Sequence, residues 1–158
     1  MNAGLLQIYL RDHHAAAGGG VALARRALGA QDPIAAQIAR DRETLEAIME
    51  QLGVSANSIK VGLVRIVERL SRLKLNGRFV RHSPLSRVVE LETLVVGVRG
   101  KEALWTALRT AGVRLEGIDL ETLVDSARAQ GSELEARRVS AVSEVFAGAA
   151  PAATHHVA

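Results

Sequence analysis

Residues 27–41 read ALGAQDPIAAQIARD, and this stretch contains the end of one helix and the start of the next. Gly29 is the residue type that ends helices, because glycine adopts a positive φ without strain. Asp32 and Pro33 are typical of a helix start, since aspartate caps free backbone N–H groups and proline fits the first turn. Only about four residues join the two helices, and so short a connection predicts an antiparallel hairpin.

The same signals divide the rest of the chain. Apolar residues recur with a period near 3.6 throughout, which predicts helices and no sheet. We predict five helices with these bounds: about Ala3 to Leu28; Asp32–Pro33 to Leu52 before Gly53; Ser55 or Ser58 to Asn76–Gly77; Ser83–Pro84 to about Ala111 before Gly112; and Asp119 to about Ala147. They form one predicted domain, residues 1–147, and residues 148–158 are a predicted disordered tail because they carry no periodicity.

The composition predicts an aliphatic core. The 158 residues are 48% hydrophobic but only 3% aromatic, so Leu, Val, Ile and Ala must fill the interior. The absence of cysteine excludes disulfides, thiolate catalysis and cysteine-based metal sites. No apolar run reaches the roughly 20 residues of a membrane span, and the N-terminus lacks a basic signal segment. We therefore expect a cytoplasmic protein without a membrane partner, and the excess of Arg over Lys is typical of GC-rich bacterial genomes.

Polar residues lie on the predicted apolar stripes. They are His13 in the first helix, Asp41 in the second, Glu92 and Glu102 in the fourth, and Gln130 in the fifth. Burying a carboxylate is unfavourable unless it is paired, hydrogen-bonded or bound to a metal. One interpretation is local pairing, of Asp41 with an arginine or a water and of His13 with Tyr9 or a backbone carbonyl. The other is a metal or small-ligand site inside the bundle.

Three strings carry a resemblance to a known family: YLRDHH at 9–14, DRETL at 41–45 and SPLSRVVELE at 83–92. They resemble small bacterial proteins of the ferritin-like superfamily, over roughly residues 5–147. The resemblance implies an all-α, ferritin-like four-helix bundle of two helical hairpins, with the third helix as an additional crossover. A plain up-down bundle with a fifth helix at its side is the competing layout.

The resemblance also implies a metal centre. The superfamily holds its two metal ions with glutamates and two Glu-x-x-His pairs, and this chain contains no Glu-x-x-His. The candidate ligands for a single Fe, Mn or Zn ion are therefore His13, Asp41 and either Glu92 or Glu102, of which Glu92 is the better candidate. The hairpin turn, however, predicts that His13 is level with Ile48 and that Asp41 is level with residues 18–20, about 10 Å away along the axis.

Residues 18–20 are three consecutive glycines inside the predicted first helix. Together they destabilise a helix by about 2–3 kcal/mol relative to alanine. We expect a close approach of the neighbouring backbone as the reason for them. Room beside Asp41 for water or a ligand, and a kink in the helix, are the alternatives.

The segment 60–87 holds eight basic side chains and one acid, a local charge of +7. Such a segment could bind nucleic acid or another polyanion, although Phe79 is its only aromatic residue for stacking. Alternatively, its arginines pair with acids on the neighbouring helices. No spacing of serine, histidine and acid indicates an enzyme.

Three functions therefore remain open. The first is a metal- or ligand-binding bundle, and the second is a metal-free scaffold or interaction protein whose buried polar residues fix the helix register. The third is a polyanion binder. Association into a homo-oligomer fits all three, but the sequence indicates no face for it.

Overall fold

The computed structural model describes residues 3–55 and 84–147, which form four long helices. They are α1 (Ala3–Leu28), α2 (Pro33–Gln51), α3 (Pro84–Thr110) and α4 (Leu120–Phe146). The described residues contain no strand, so the prediction of an all-α bundle is confirmed. α3 and α4 are the fourth and fifth predicted helices, whereas the predicted third helix and the tail lie outside the described residues.

The helices begin and end where the capping residues predict. The Asp32 carboxylate accepts a hydrogen bond from the backbone N–H of Ile34 at 2.9 Å, and Asp119 accepts one from Glu121 at 3.0 Å. The three glycines predicted to end helices all have positive φ: Gly29 (98°), Gly53 (65°) and Gly112 (68°). The described helix ends therefore agree with the sequence prediction to within about one residue.

The helices form two hairpins whose directions follow from the side-chain contacts. α1 and α2 are antiparallel, as are α3 and α4, because the connection within each pair is short. Lys101 of α3 contacts Asp41 of α2. The N-terminal halves of these two helices contribute to one apolar cluster, and their C-terminal halves contribute to another. α2 and α3 are therefore parallel, so Gln51 and Pro84, which end and begin them, lie at opposite ends of the bundle.

The interior consists of two apolar clusters, one toward each end of the bundle. Members of the first include Leu10, Leu45, Ile48, Trp105, Leu108 and Val124. Members of the second include Ala24, Ile34, Leu91, Leu94, Val98 and Leu134. Trp105 is 1% exposed and belongs to the first cluster, and the partly buried Tyr9 packs against it. The level between the two clusters is polar.

The seam between α2 and α4 differs from the other seams. The backbones of α3 and α4, of α1 and α2, and of α1 and α3 approach closely, whereas those of α2 and α4 lie farther apart. Polar contacts join α2 to α4 and to the turn before it: Asp32 with Arg137 (2.6 Å), Asp41 with Gln130 (3.0 Å), and Gln51 with the backbone of Glu116 (2.9 and 3.0 Å). Among the described residues, no helix is long and apolar enough to span a membrane.

Candidate functional site: a polar layer inside the bundle

Three helices contribute one side chain each to a polar layer between the apolar clusters. The layer consists of Asp41 from α2, Lys101 from α3 and Gln130 from α4. The side chains of Asp41 and Lys101 are 12% and 14% exposed, and Gln130 is 3% exposed. The sequence predicted two of the three, because Asp41 and Gln130 lie among apolar residues at helical spacing.

The polar groups of the layer satisfy one another. Lys101 Nζ donates hydrogen bonds to Asp41 Oδ2 and to Gln130 Oε1. Gln130 Nε2 donates to the same Asp41 oxygen at 3.0 Å and to Ser126 Oγ at 3.3 Å. Lys101 Nζ, Asp41 Oδ2 and both polar atoms of the Gln130 amide therefore have partners on another helix or on their own, which is the condition under which burial of charge is tolerated.

Burial lowers the pKa of Lys101 below its usual value, and the neighbouring Asp41 carboxylate opposes that shift. The ammonium is destabilised by the loss of water, and the carboxylate and the amide oxygen replace part of its hydration. The Asp41 carboxylate accepts hydrogen bonds from Lys101 and from Gln130. The layer thus contains a compensated pair of opposite charges.

A second polar group lies next to the layer and joins α1 to α2. His14 Nε2 lies 2.9 Å from Glu46 Oε1, which also accepts from Arg42 Nε at 3.1 Å. A carboxylate only accepts, so Nε2 carries the proton. The hydrogen bond with His14 and the charge of Arg42 hold the pKa of Glu46 below its usual value, against a smaller opposing effect of burial.

The histidine in the core position is His14, which is 8% exposed, and the prediction that His13 occupies the centre of the α1 stripe is wrong. The buried residues of α1 are Leu10, His14, Val21 and Ala24. His13 is half-buried and contacts Tyr9 edge to face, with ring centroids 4.6 Å apart. Burial lowers the pKa of His13, and the charge of Asp12 opposes the shift.

The other predicted ligand, Glu92, lies at the surface of α3. Its side chain is 52% exposed and its carboxylate is 3.7 Å from Arg138 on α4. Glu102, the alternative candidate, accepts hydrogen bonds from Arg99 at 2.8 Å and from Arg128 at 3.0 Å, which lower its pKa. Both glutamates are paired with arginine.

His13, Asp41 and Glu92 therefore each have a different neighbour, and the structure does not bring them together. In residues 3–55 and 84–147, no three His, Asp or Glu side chains form a group that could hold a metal ion. The predicted site for Fe, Mn or Zn stays a prediction without a geometric counterpart in the described part of the chain.

The longitudinal register of α1 and α2 agrees with the sequence prediction. His14 lies opposite Glu46, and the backbone of Gly18 lies opposite Arg42, so Asp41 is level with Gly19. The expected close packing at these glycines is wrong. A Cβ added at Gly19 or Gly20 would meet no atom within 4 Å, and one at Gly18 would meet only an Arg42 guanidinium nitrogen at 3.8 Å.

Sequence reasoning missed Lys101 and His14. Lys101 lies three residues after Val98 and four before Trp105, so its spacing already placed it on the apolar arc of α3. The search for metal ligands directed attention to carboxylates and histidines, although the same helical spacing identifies a buried cation.

Of the eight basic residues in segment 60–87, only Arg87 is among the residues whose side chains are described, and it is exposed. Two acids on the neighbouring helices, Glu46 and Glu90, meet Arg42 and Arg26 of the first hairpin, and their predicted pairing with the basic segment lies outside the described residues. Polyanion binding stays a prediction. No protein-family model matches the chain, and no curated protein or solved structure matches it significantly.

Proposed function

We propose that this chain is a metal-free scaffold of the ferritin-like type, which acts through contacts with other proteins. In this proposal the polar layer fixes how the two hairpins pair and is not a catalytic or metal centre. The single observation that carries it is that the Asp41 carboxylate is already paired with the ammonium of Lys101 and the amide of Gln130.

Electrostatics favour this proposal over a metal site at Asp41. A divalent cation at this carboxylate would lie beside the Lys101 ammonium, and two like charges at such a distance repel each other strongly in a poorly solvated interior. Lys101 would first have to lose its proton or leave the layer. The layer therefore disfavours a cation, whereas ferritin-like metal centres surround theirs with carboxylates and histidines.

The layer also gives the bundle a preferred register. If the second hairpin slid by one helical turn, about 5.4 Å, Asp41 would face an apolar residue in place of Lys101. An uncompensated buried charge costs about 3–5 kcal/mol, a large part of the stability of a small domain. Buried polar residues select one alignment in the same way in helical coiled coils.

The helix directions support the ferritin-like part of the proposal. Two antiparallel hairpins with parallel second and third long helices are the layout of ferritin-like bundles, in which one long connection returns along the bundle. The chain between α2 and α3, residues 52–83, is long enough for such a connection, at about 1.5 Å per residue if helical.

Elemental analysis of untagged protein tests the proposal. Protein produced in medium supplemented with Fe, Mn and Zn should contain far less than one ion per chain, and a chelator should leave its melting temperature unchanged. Asp125→Asn, at an exposed position of α4, is the control for Asp41→Asn. One bound ion per chain that is lost in Asp41→Asn and retained in Asp125→Asn would refute the proposal.

A further inference from the structure

The outward face of α3 carries an uncharged stripe along most of the helix. The stripe consists of Leu85, Val89, Val96, Gly100, Ala103 and Ala107, which recur at helical spacing. Val96 is 70% exposed and Leu85 is 49% exposed, and Ala103 and Ala107 are exposed as well. A helix that is apolar on both its inner and its outer face is typically buried on both.

The described residues include six exposed large hydrophobic side chains, two on each of three helices. They are Leu5 and Ile8 on α1, Leu85 and Val96 on α3, and Val139 and Phe146 on α4. Because α3 and α4 are antiparallel, Val139 and Phe146 are level with the N-terminal half of α3. They extend the apolar surface beyond the stripe itself, and such patches mark interaction sites.

The stripe has a gradient of side-chain size. Its N-terminal half presents Leu85 and Val89, whereas its C-terminal half presents only Gly100, Ala103 and Ala107. Ala103 and Ala107 border an open depression of about 620 Å³ that runs along α3 from residue 99 to residue 111. A Cβ added at Gly100 would meet no atom within 4 Å, so the surface there is free to receive a larger side chain.

We infer that the stripe is a homodimer interface, in which α3 packs antiparallel against α3 of a second copy, with Val96 on the two-fold axis. Val89 then lies opposite Ala103, seven residues on either side of Val96. By the same symmetry, Leu85 lies opposite Ala107. A two-fold axis brings the same patch of both copies together, so the large half of each stripe meets the small half of the other.

The charges beside the stripe fit the same pairing. Glu92 and Arg99 flank it, with side chains 52% and 51% exposed, and within the chain they pair with Arg138 (3.7 Å) and Glu102 (2.8 Å). Antiparallel packing about Val96 places Glu92 of each copy near Arg99 of the other, which gives two interchain ion pairs. Parallel packing would bring neither glutamate near an arginine of the other copy, and the bulk of the leucine and valine halves would hold the alanine halves apart.

This inference rests on the proposed function, since it names the partner of the scaffold as a second copy of the chain. One helix about 40 Å long and the end of α4 form a small interface compared with the roughly 800 Å² per partner of a standard complex. We therefore expect a dissociation constant on the order of 10 µM.

Sedimentation of the full chain at roughly 50 µM tests the dimer, because most chains associate above the expected dissociation constant. Val96→Glu places two carboxylates face to face on the axis and should weaken association at least about 100-fold. Ala136→Glu adds the same charge at an exposed position of α4, outside the stripe, and should leave the dimer intact. A monomer at this concentration, or equal effects of both variants, would overturn the inference.

Cysteine cross-linking tests the direction of packing, because the natural chain has no cysteine. Oxidation of a Val96→Cys variant should give a covalent dimer, since the two residues meet at the axis. An Ala107→Cys variant should not cross-link, because antiparallel packing separates the two residues by about 33 Å and a disulfide needs Cα atoms within about 7 Å. Cross-linking of the Ala107→Cys variant would overturn the inference. So would a Val96→Cys variant that stays monomeric because its own chain covers the thiol.

The oligomeric state tests the dimer and the metal content tests the proposed function, so the two can fail independently. A metal-free monomer would refute the dimer and leave the scaffold to another partner. A dimer that holds one ion per chain, lost in Asp41→Asn, would refute the metal-free function and leave the interface.

Discussion

The Lys101 side chain crosses the interior from α3 to reach Asp41 on α2 and Gln130 on α4. It converts a buried carboxylate, which alone would be typical of a metal ligand, into half of an ion pair. The three groups are separated by 29 to 89 residues in the chain, and each depends on the other two for its hydrogen bonds. The changes in the free energy of unfolding caused by substituting each residue alone should therefore not add up to the change in a multiple variant.

Asp41→Ala should destabilise the protein by about 3 kcal/mol, because it leaves the buried Lys101 ammonium without its counter-charge. The triple variant Asp41→Leu, Lys101→Met and Gln130→Leu should recover most of that loss, since an apolar layer needs no compensation. Urea denaturation measures both free energies of unfolding. A change of less than about 0.5 kcal/mol in Asp41→Ala would mean that the layer is solvated and contributes little.

At the scale of the helix, α1 contains three glycines that no close contact explains. The prediction of close packing was wrong because helical spacing shows which residues share a face but not how far away the neighbouring helix lies. The space beside Gly19 and Gly20 is open, at the level of Asp41. The glycines thus weaken α1 without allowing a closer approach of another backbone.

Gly19→Ala should stabilise the protein by about 0.5–1 kcal/mol, because alanine has the higher helix propensity and its Cβ meets no atom. Gly29→Ala is the matched contrast. Gly29 has a φ of 98°, which strains an alanine, so this change should destabilise the protein by about 1 kcal/mol. Thermal denaturation followed by circular dichroism distinguishes the two, and a destabilising Gly19→Ala would indicate a neighbour at that position.

At the scale of the whole molecule, α2 is joined to the second hairpin by polar contacts at both ends and in the middle. Asp32 has two roles at one end: one carboxylate oxygen caps α2, and the other accepts from Arg137 of α4 at 2.6 Å. Burial opposes ionisation of Asp32, but the hydrogen bonds from Arg137 and from the backbone outweigh it and hold its pKa below its usual value.

Asp32→Ser keeps a helix cap and removes the ion pair with Arg137, and it should destabilise the protein by about 1–2 kcal/mol at pH 7. The folded pKa of Asp32 is lowered, so its stabilisation is complete above the unfolded value of about 4 and is lost as the pH falls toward the folded value. The difference between wild type and Asp32→Ser in urea denaturation should therefore shrink from pH 7 to pH 3. A difference that is independent of pH would exclude the ion pair as its cause.

The sequence by itself determined the helices, because caps, turns and helical periodicity depend on neighbours only a few residues away. Asp32, Pro33 and the glycines at positive φ fixed the ends of the described helices, and the short turn fixed the register of α1 against α2. The same spacing identified Asp41 and Gln130 as interior residues. It placed His13 where His14 lies, because the two residues follow Leu10 at three and four positions and share its side of the helix, and only the position of the neighbouring helix decides which of them is buried.

Only the tertiary structure decided what the interior polar groups do. Asp41 meets Lys101 and Gln130 across 60 and 89 residues of chain, and these distances depend on how the second hairpin is rotated and shifted against the first. No local signal encodes that rotation, since it results from the packing of all four helices together. The sequence therefore showed that a charge is buried, and the tertiary structure showed that an opposite charge from another helix neutralises it.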